Sequence, residues 1–298
     1  GGRRETLVSR IARQTGRMGL LFPAVALMAV FLVGPIAYSV YGSLTNAALS
    51  GYKAANPEFV GLENYVELLT SGAFWKAVLL TVIFVFASAV VGQNILGLAL
   101  AMLMRKAPKI LSTLVGGVVV IAWVMPEIVA AFALYAFFST DGTLNVLLSY
   151  IGLGGTTWLL TFPMFSVIMA NIWRGTAFSM MVYSAALAEV PPEIQEAAKV
   201  DGARGWQRFF FVTLPMIKGS ISTNLLLTTL QTLGVFTLLW VMTGGGPGTQ
   251  STTLPVMAYQ EAFKNSLIGY GTAIATVTIV LGALFALVYI RALKPEVD

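Results

Sequence analysis

The sequence predicts an all-α integral membrane protein of six transmembrane helices with cytoplasmic N- and C-termini. Three observations predict it: charge is scarce, it is segregated, and its basic part falls on one side. Of the 298 residues, 57% are hydrophobic and 10% charged, where soluble domains carry about 25% charged residues. Mean hydropathy is +0.82. Segments 19–52, 77–104, 219–260 and 265–290 contain no Asp, Glu, Lys or Arg. Each exceeds the roughly 20 apolar residues that cross the hydrocarbon core as a helix.

The spans are placed at 19–43, 77–104, 110–138, 162–188, 217–243 and 267–290. With the N-terminus inside, the inner side carries Arg3, Arg4, Arg10, Arg13 and Arg17 in the tail. It also carries Arg105, Lys106 and Lys109, then Lys199, Arg204, Arg208 and Lys218, then Arg291 and Lys294. That is 14 of the 18 Lys and Arg. Lys53, Lys76 and Lys264 lie outside, and Arg174 lies within a span. The positive-inside rule therefore puts both termini in the cytoplasm. The net charge of +5 is topological and gives no reason to expect nucleic acid.

The first apolar segment is too long for a signal-peptide core and lacks a small-residue cleavage site, so it reads as an anchor. No Ser- or Pro-rich linker divides the chain, and residues 1–298 read as one membrane domain. The absence of an internal repeat counts against repeat-built secondary carriers. The first outer segment, 44–76, holds Phe59-Val60-Gly61-Leu62-Glu63-Asn64-Tyr65 and reads as an amphipathic piece at the outer surface. The second outer loop is rich in glycine. The third carries Thr243-Gly244-Gly245-Gly246-Pro247-Gly248 and must be irregular.

The inner loop 189–215 differs in kind, with seven charged residues among hydrophobics at helical spacing. Pro191-Pro192 ends one span and starts a helix, since proline is tolerated at the first helical position. Segment 193–200 reads as a short helix with Ile194, Ala197, Ala198 and Val200 on its apolar side. Gly202 breaks it where positive φ is needed. A second short helix, 204–211, follows, and Leu214-Pro215 is expected to turn the chain into the fifth span. Such a helix–turn–helix suits docking into a partner's groove. The plainer reading is an interfacial amphipathic loop without a partner.

There is no histidine and no cysteine, which removes the commonest general base, the thiol nucleophile and the commonest metal ligands. A membrane-embedded enzyme is thereby disfavoured. Glu127 and Arg174 are the ionisable residues inside the spans, where such groups are expensive and functional candidates. Counting from the outer ends puts them at similar depth. They either pair to fix helix packing or face a water-filled vestibule.

The pattern Glu196-Ala197-Ala198-x3-Gly202-x9-Val212-x-Leu214-Pro215 resembles the EAA loop of ABC-transporter import permeases, with Val212 where isoleucine is usual. Trp173-Arg174-Gly175-Thr176-Ala177-Phe178, Asp201-Gly202-Ala203, Thr243-Gly244-Gly245-Gly246-Pro247 and Gly61-Leu62-Glu63-Asn64-Tyr65 look like the sugar-importer branch. The resemblance covers about residues 20–290. It implies that Glu196, Ala197, Ala198, Asp201, Gly202 and Pro215 belong to coupling helices seated in a cytoplasmic ATPase. Glu196 would meet a basic residue there, and the small residues would permit close approach. The chain has no GxxxxGK[ST] phosphate loop, so ATP and magnesium would be bound by the partner, and this chain itself needs no cofactor.

The resemblance further implies a second, different permease subunit in pseudo-twofold pairing, two ATPase domains, and an extracytoplasmic solute-binding protein or lipoprotein. It implies a location in the bacterial inner membrane and a di- or oligosaccharide substrate. Substrate-lining positions by the same resemblance are Asn171, Gly175 and Phe178 on span four, with Thr228, Gln231, Thr232 and Val235 on span five. Amides, hydroxyls and one aromatic face suit a sugar, and each set shares a helix face. The competing reading is that small polar residues are ordinary helix-packing contacts in membranes. A phosphate-bearing solute such as glycerol phosphate would want more cation than Arg174 alone. A self-sufficient secondary carrier would need coupling-ion carboxylates or discontinuous helices, and would leave the docking loop without a purpose.

Overall fold

The apolar runs fold as helices, the form that pairs the backbone's hydrogen-bonding groups within one segment. A computed structural model describes residues 21–293. Arg3, Arg4, Arg10, Arg13 and Arg17 of the basic tail, positions 19–20 of the first predicted span, and Lys294 lie outside the described residues. Among the described residues there is no strand, only an isolated antiparallel bridge between Thr45 and Phe59. The helices of six or more residues are α1 (Leu21–Gly42), α2 (Glu63–Thr70), α3 (Gly72–Lys106), α4 (Lys109–Val124), α5 (Glu127–Phe138) and α6 (Thr143–Tyr150). There follow α7 (Pro163–Ala188), α8 (Pro192–Val200), α9 (Gly205–Met216), α10 (Lys218–Leu233), α11 (Thr237–Met242), α12 (Leu254–Tyr259) and α13 (Ile268–Leu293).

Among the described residues, four helical stretches are long and apolar enough to cross a membrane: α1, α3, Glu127–Tyr150 (α5 and α6 together) and α13. A fifth is added when α9 and α10, which meet at a 70° bend, are taken as one broken span. Helix α7 has 26 residues, or about 39 Å at 1.5 Å per residue. It is less apolar because much of it is buried against other helices.

Three expectations are corrected in form. The third predicted span is interrupted: Met125 and Pro126 are extended, with ψ of 132° and 136°, between α4 and α5. Proline has no amide hydrogen to donate and holds its predecessor out of the helical region. The fifth predicted span likewise breaks at Gly234, Val235 and Phe236 before resuming as α11. Leu214-Pro215 lies inside α9, and the chain turns at Ile217 (φ −98°, ψ 11°) instead. The π-helical turn Phe209–Thr213 ahead of Pro215 absorbs the missing amide hydrogen bond.

Helix α3 organises the packing. Phe74 and Ala77 near its start pack with Leu68, Leu254, Met257, Ala273 and Ile274. Phe84 joins Leu134, Phe138, Val167, Leu238 and Met242. Ala101 near its end packs with Met180, Tyr183, Leu187, Val190 and Ile217. At Gly97 the backbone approaches α7 closely: a Cβ there would lie 2.5 Å from Ser179 Cβ and 2.9 Å from the Met180 amide nitrogen. The segment between α1 and α3 is pinned by Asn64, whose buried amide donates to the carbonyls of Ser43 and Thr45 at 2.8 and 2.9 Å. Helix α1 is apolar on all sides and exposed, with Phe31 74% and Tyr38 78% exposed. A helix of that kind is covered by lipid or by another subunit.

Gly97→Ala is expected to lower stability by about 1–3 kcal/mol through overpacking. Gly117→Ala on α4, where nothing lies within 4 Å of the added carbon, is expected to leave it unchanged. Thermal unfolding of the two variants in one detergent compares them; equal melting points would refute the close α3–α7 contact.

Candidate functional site

Two regions gather the polar residues singled out in the sequence. The first is a buried seam between α3, α7 and α10. Asn171 on α7 donates from Nδ2 to Ser88 Oγ at 2.8 Å and to Thr232 Oγ1 at 3.3 Å. Its backbone carbonyl accepts from Gln93 Nε2 at 3.0 Å. Further along, Asn94 donates to Thr228 Oγ1 at 3.4 Å, and its Oδ1 accepts from Asn224 at 2.8 Å and from the Tyr183 hydroxyl. Asn224 Nδ2 also reaches Ser179 Oγ at 2.9 Å. All nine of these residues are buried, where an unpaired amide costs several kcal/mol, on the order of 4–8 against hydrocarbon.

The predicted lining residues divide along this seam. Asn171, Thr228 and Thr232 come together inside it and are engaged with neighbouring helices. The room left by Gly175 is filled by the Gln93 side chain. Phe178 is half-buried, with its ring 6.0 Å from that of Trp123 on α4. Gln231 is exposed, and Val235 lies half-buried in the break between α10 and α11. Ser88, Gln93, Asn94 and Asn224 were not singled out from the sequence. The available signal was four small polar side chains in otherwise apolar spans.

Glu127 is the first residue of α5, where a carboxylate meets the positive end of the helix dipole. Its Oε1 accepts the backbone N–H of Leu238 at 3.4 Å, in the first turn of α11. It thus joins α5 and α11 at the two helix breaks and satisfies an amide that the break before α11 leaves open. Arg174 is half-buried on α7, with Nε buried and without a hydrogen-bond partner. No Glu127–Arg174 hydrogen bond occurs among the described residues.

The second region is the loop after α7. Helix α8 ends at Asp201 in a paired set of C-terminal hydrogen bonds: Gly202 N–H to the Lys199 carbonyl at 3.1 Å and Ala203 N–H to the Ala198 carbonyl at 3.0 Å. Gly202 has φ +81°, as this termination requires. Gln195 Nε2 donates to Thr213 Oγ1 at 2.8 Å and ties α8 to α9. Glu196, Ala197, Asp201, Gly202 and Pro215 are exposed, and Ala198 is half-buried. Ile194 and Val200, on the apolar side, are 42% and 86% exposed. The loop's two ends are held fast, with Val190 at 4% and Ile217 at 3% exposure in the same cluster as Ala101 and Tyr183. The protein thus presents an uncovered small-residue helix on a rigid footing.

The segment Thr243-Gly244-Gly245 is irregular, as its glycines led us to expect. Gly245 has φ +89°, and a Cβ on it would lie 2.7 Å from Thr252 Oγ1. Thr252 and Gln260 donate to the Gly245 and Gly244 carbonyls.

Residues 93–298 match the family of binding-protein-dependent transport system inner membrane components. The chain is 31% identical over 290 residues to the trehalose/maltose transport system permease protein MalF of Thermococcus litoralis, covering 96% of each. It is 33% identical over 285 residues to the sulfoquinovosyl glycerol transport system permease protein SmoG of Agrobacterium fabrum, covering 93% of this chain and 90% of that one. Among solved structures it resembles a chain of a bacterial alginate ABC transporter in complex with an alginate pentasaccharide-bound periplasmic protein. There the TM-score is 0.76 at 25% identity, covering 97% of this chain and 96% of that one.

The seam and the exposed residue beside it separate by mutation. Asn171→Ala strips two hydroxyls of their amide partner and is expected to cost about 1 kcal/mol of stability. Gln231→Ala, at an exposed position, is expected to leave the melting point in place. Differential scanning fluorimetry of both variants tests this, and an unshifted Asn171→Ala would remove the seam's structural role.

Proposed function

This chain belongs to the family of binding-protein-dependent transport system inner membrane components, and on that premise we propose that it passes a sugar through a membrane domain of six spans. As a member of that family it is a multi-pass protein of the inner membrane. It is a permease subunit of an ABC importer, a translocation component and not an enzyme. In the proposed topology the spans are α1, α3, α4 with α5, α7, α10 with α11, and α13, with cytoplasmic termini. The names of two relatives, a trehalose/maltose permease and a sulfoquinovosyl glycerol permease, support a carbohydrate substrate. It would be delivered by an extracytoplasmic binding protein, as the alginate transporter's complex with its periplasmic protein suggests.

The observation that carries the mechanism is the footing of α8. Its residues Glu196, Ala197 and Gly202 are uncovered, while Val190 and Ile217 on either side are buried among the ends of α3 and α7. Closure of two partner ATPases, which would hold ATP and magnesium, would push on α8 and move α7 and α10 as one rigid body. Glu196 would meet a cation of the ATPase, and Ala197, Ala198 and Gly202 would allow close approach, with Asp201 and Pro215 framing the loop. The two broken spans are a feature that secondary carriers also show, but such a carrier would have no use for an anchored, uncovered α8.

In this reading Gln231, Val235 and Phe178 remain accessible to a solute as the structure stands. Asn171, Gly175, Thr228 and Thr232 would reach it after the helices shift. A second permease subunit would complete the pathway and cover α1.

Mass spectrometry of the gently extracted native complex is expected to find an ATPase, a second six-span permease and a solute-binding protein. Recovery of this chain alone, under conditions that keep comparable complexes whole, would overturn the proposal. Glu196→Lys and Gly202→Asp are expected to reduce vanadate-sensitive uptake to background while the protein remains inserted at normal abundance. Wild-type uptake in both would defeat the coupling role. Gln231→Ala is expected to change the apparent affinity for sugar without releasing the ATPase.

A further inference from the structure

Beside the docking loop, where α3 ends against α9, the protein has a cleft of about 570 Å³. Three cations line it: Arg105 and Lys106 from the last turn of α3 and Arg208 from α9. No Asp or Glu does. Arg208 Nε is buried without a hydrogen-bond partner, and a buried donor left unpaired is costly until something accepts from it. Arg105 and Lys106 stand at the carbonyl end of α3, which favours cations there without a carboxylate neighbour. The cleft is therefore a gathering of positive charge with no anion of its own.

Its other walls identify the kind of anion. Trp206 and Phe210 line the same cleft and are 56% and 54% exposed. Phe211, whose ring lies 6.3 Å from that of Trp206, is 72% exposed. A small soluble anion gains nothing from exposed aromatic rings beside it. An anion with an apolar body does, and tryptophan collects at the membrane interface for that reason. Basic pockets between membrane helices on the cytoplasmic side suit anionic lipid headgroups.

We propose that this cleft binds the phosphate of an anionic phospholipid, with its acyl chains against Trp206, Phe210 and Phe211. Occupancy would hold α9 against α3, and through the Gln195–Thr213 hydrogen bond it would set the position of α8. Lipid charge thereby tunes coupling. The inference rests on the cytoplasmic orientation of the docking loop proposed above.

The test uses the complete importer in phosphatidylcholine vesicles with and without phosphatidylglycerol. ATP-driven uptake by the wild type is expected to rise severalfold with phosphatidylglycerol, and inorganic phosphate added to phosphatidylcholine vesicles is not expected to replace it. R208Q, and separately R105Q/K106Q, are expected to need about fivefold more phosphatidylglycerol per cation removed for the same response. Native mass spectrometry is expected to find phosphatidylglycerol retained by the wild type and lost from both variants. Unchanged lipid dependence and retention in both variants, replacement by inorganic phosphate, or a cross-link from Arg208→Cys to an ATPase subunit would each overturn the lipid site. An importer that transports well yet ignores lipid charge loses the lipid site and keeps its proposed function. If no vesicle shows ATP-driven uptake, the proposed function itself falls, and retained lipid still reads the cleft directly.

Discussion

A bilayer offers no hydrogen-bond partner, so each amide or hydroxyl placed at membrane depth has to be satisfied by the protein. The seam between α3, α7 and α10 answers that demand. Asn94, Asn171 and Asn224 each reach two other helices, with the Asn224 Oδ1, buried and without a hydrogen-bond partner, the exception to full pairing. Because an unmet amide is expensive, the three helices are held in one register. Gly97 and Gly175 let them come close enough for these short side chains to meet. The rest of the fold hangs on α3, which touches every major cluster of the core.

The same demand governs the interruptions. Pro126 and the segment Gly234–Phe236 open the helical ladder where the backbone has no lipid-compatible alternative. Glu127 meets this by sitting at the start of α5 and accepting from Leu238 at the start of α11. Its charge is tolerated because two helix N-termini converge on it. The breaks separate α4 from α5 and α10 from α11, and α5 and α11 share one cluster with Val167 and Ala170 of α7. A displacement at the α8 end would therefore reach that cluster along α7 without interruption, and along α10 only across the break at Val235.

Composition and charge segregation made the membrane class legible. The shape of the loop around α8 was legible because each of its features has a local cause. Pro192 opens α8, Gly202 closes it with a positive φ, and the alanines between are small. Local rules failed at Pro215, which sits within a helix widened by one turn, so that the chain bends two residues later at Ile217. They also failed at the breaks. Pro126 was visible in the sequence, but an apolar run on both sides of a proline is compatible with a kink or an interruption. Nothing about Gly234-Val235-Phe236 marks a break by itself.

The residues of the candidate pathway show the same division. Spacing alone put Asn171 with Gly175 and Phe178 on one face, and helical periodicity is enough for that. Which neighbour the face meets is a long-range matter, and α3 supplies Ser88 and Gln93 from 78 to 83 positions away. The sequence by itself determined the solvent, most of the helices and the shape of α8, because hydropathy and turn chemistry act over a few residues. Only the tertiary structure decided which polar side chains are buried against each other and which, like Gln231, stay open. That choice belongs to whichever helix packs alongside, and no local pattern carries the information.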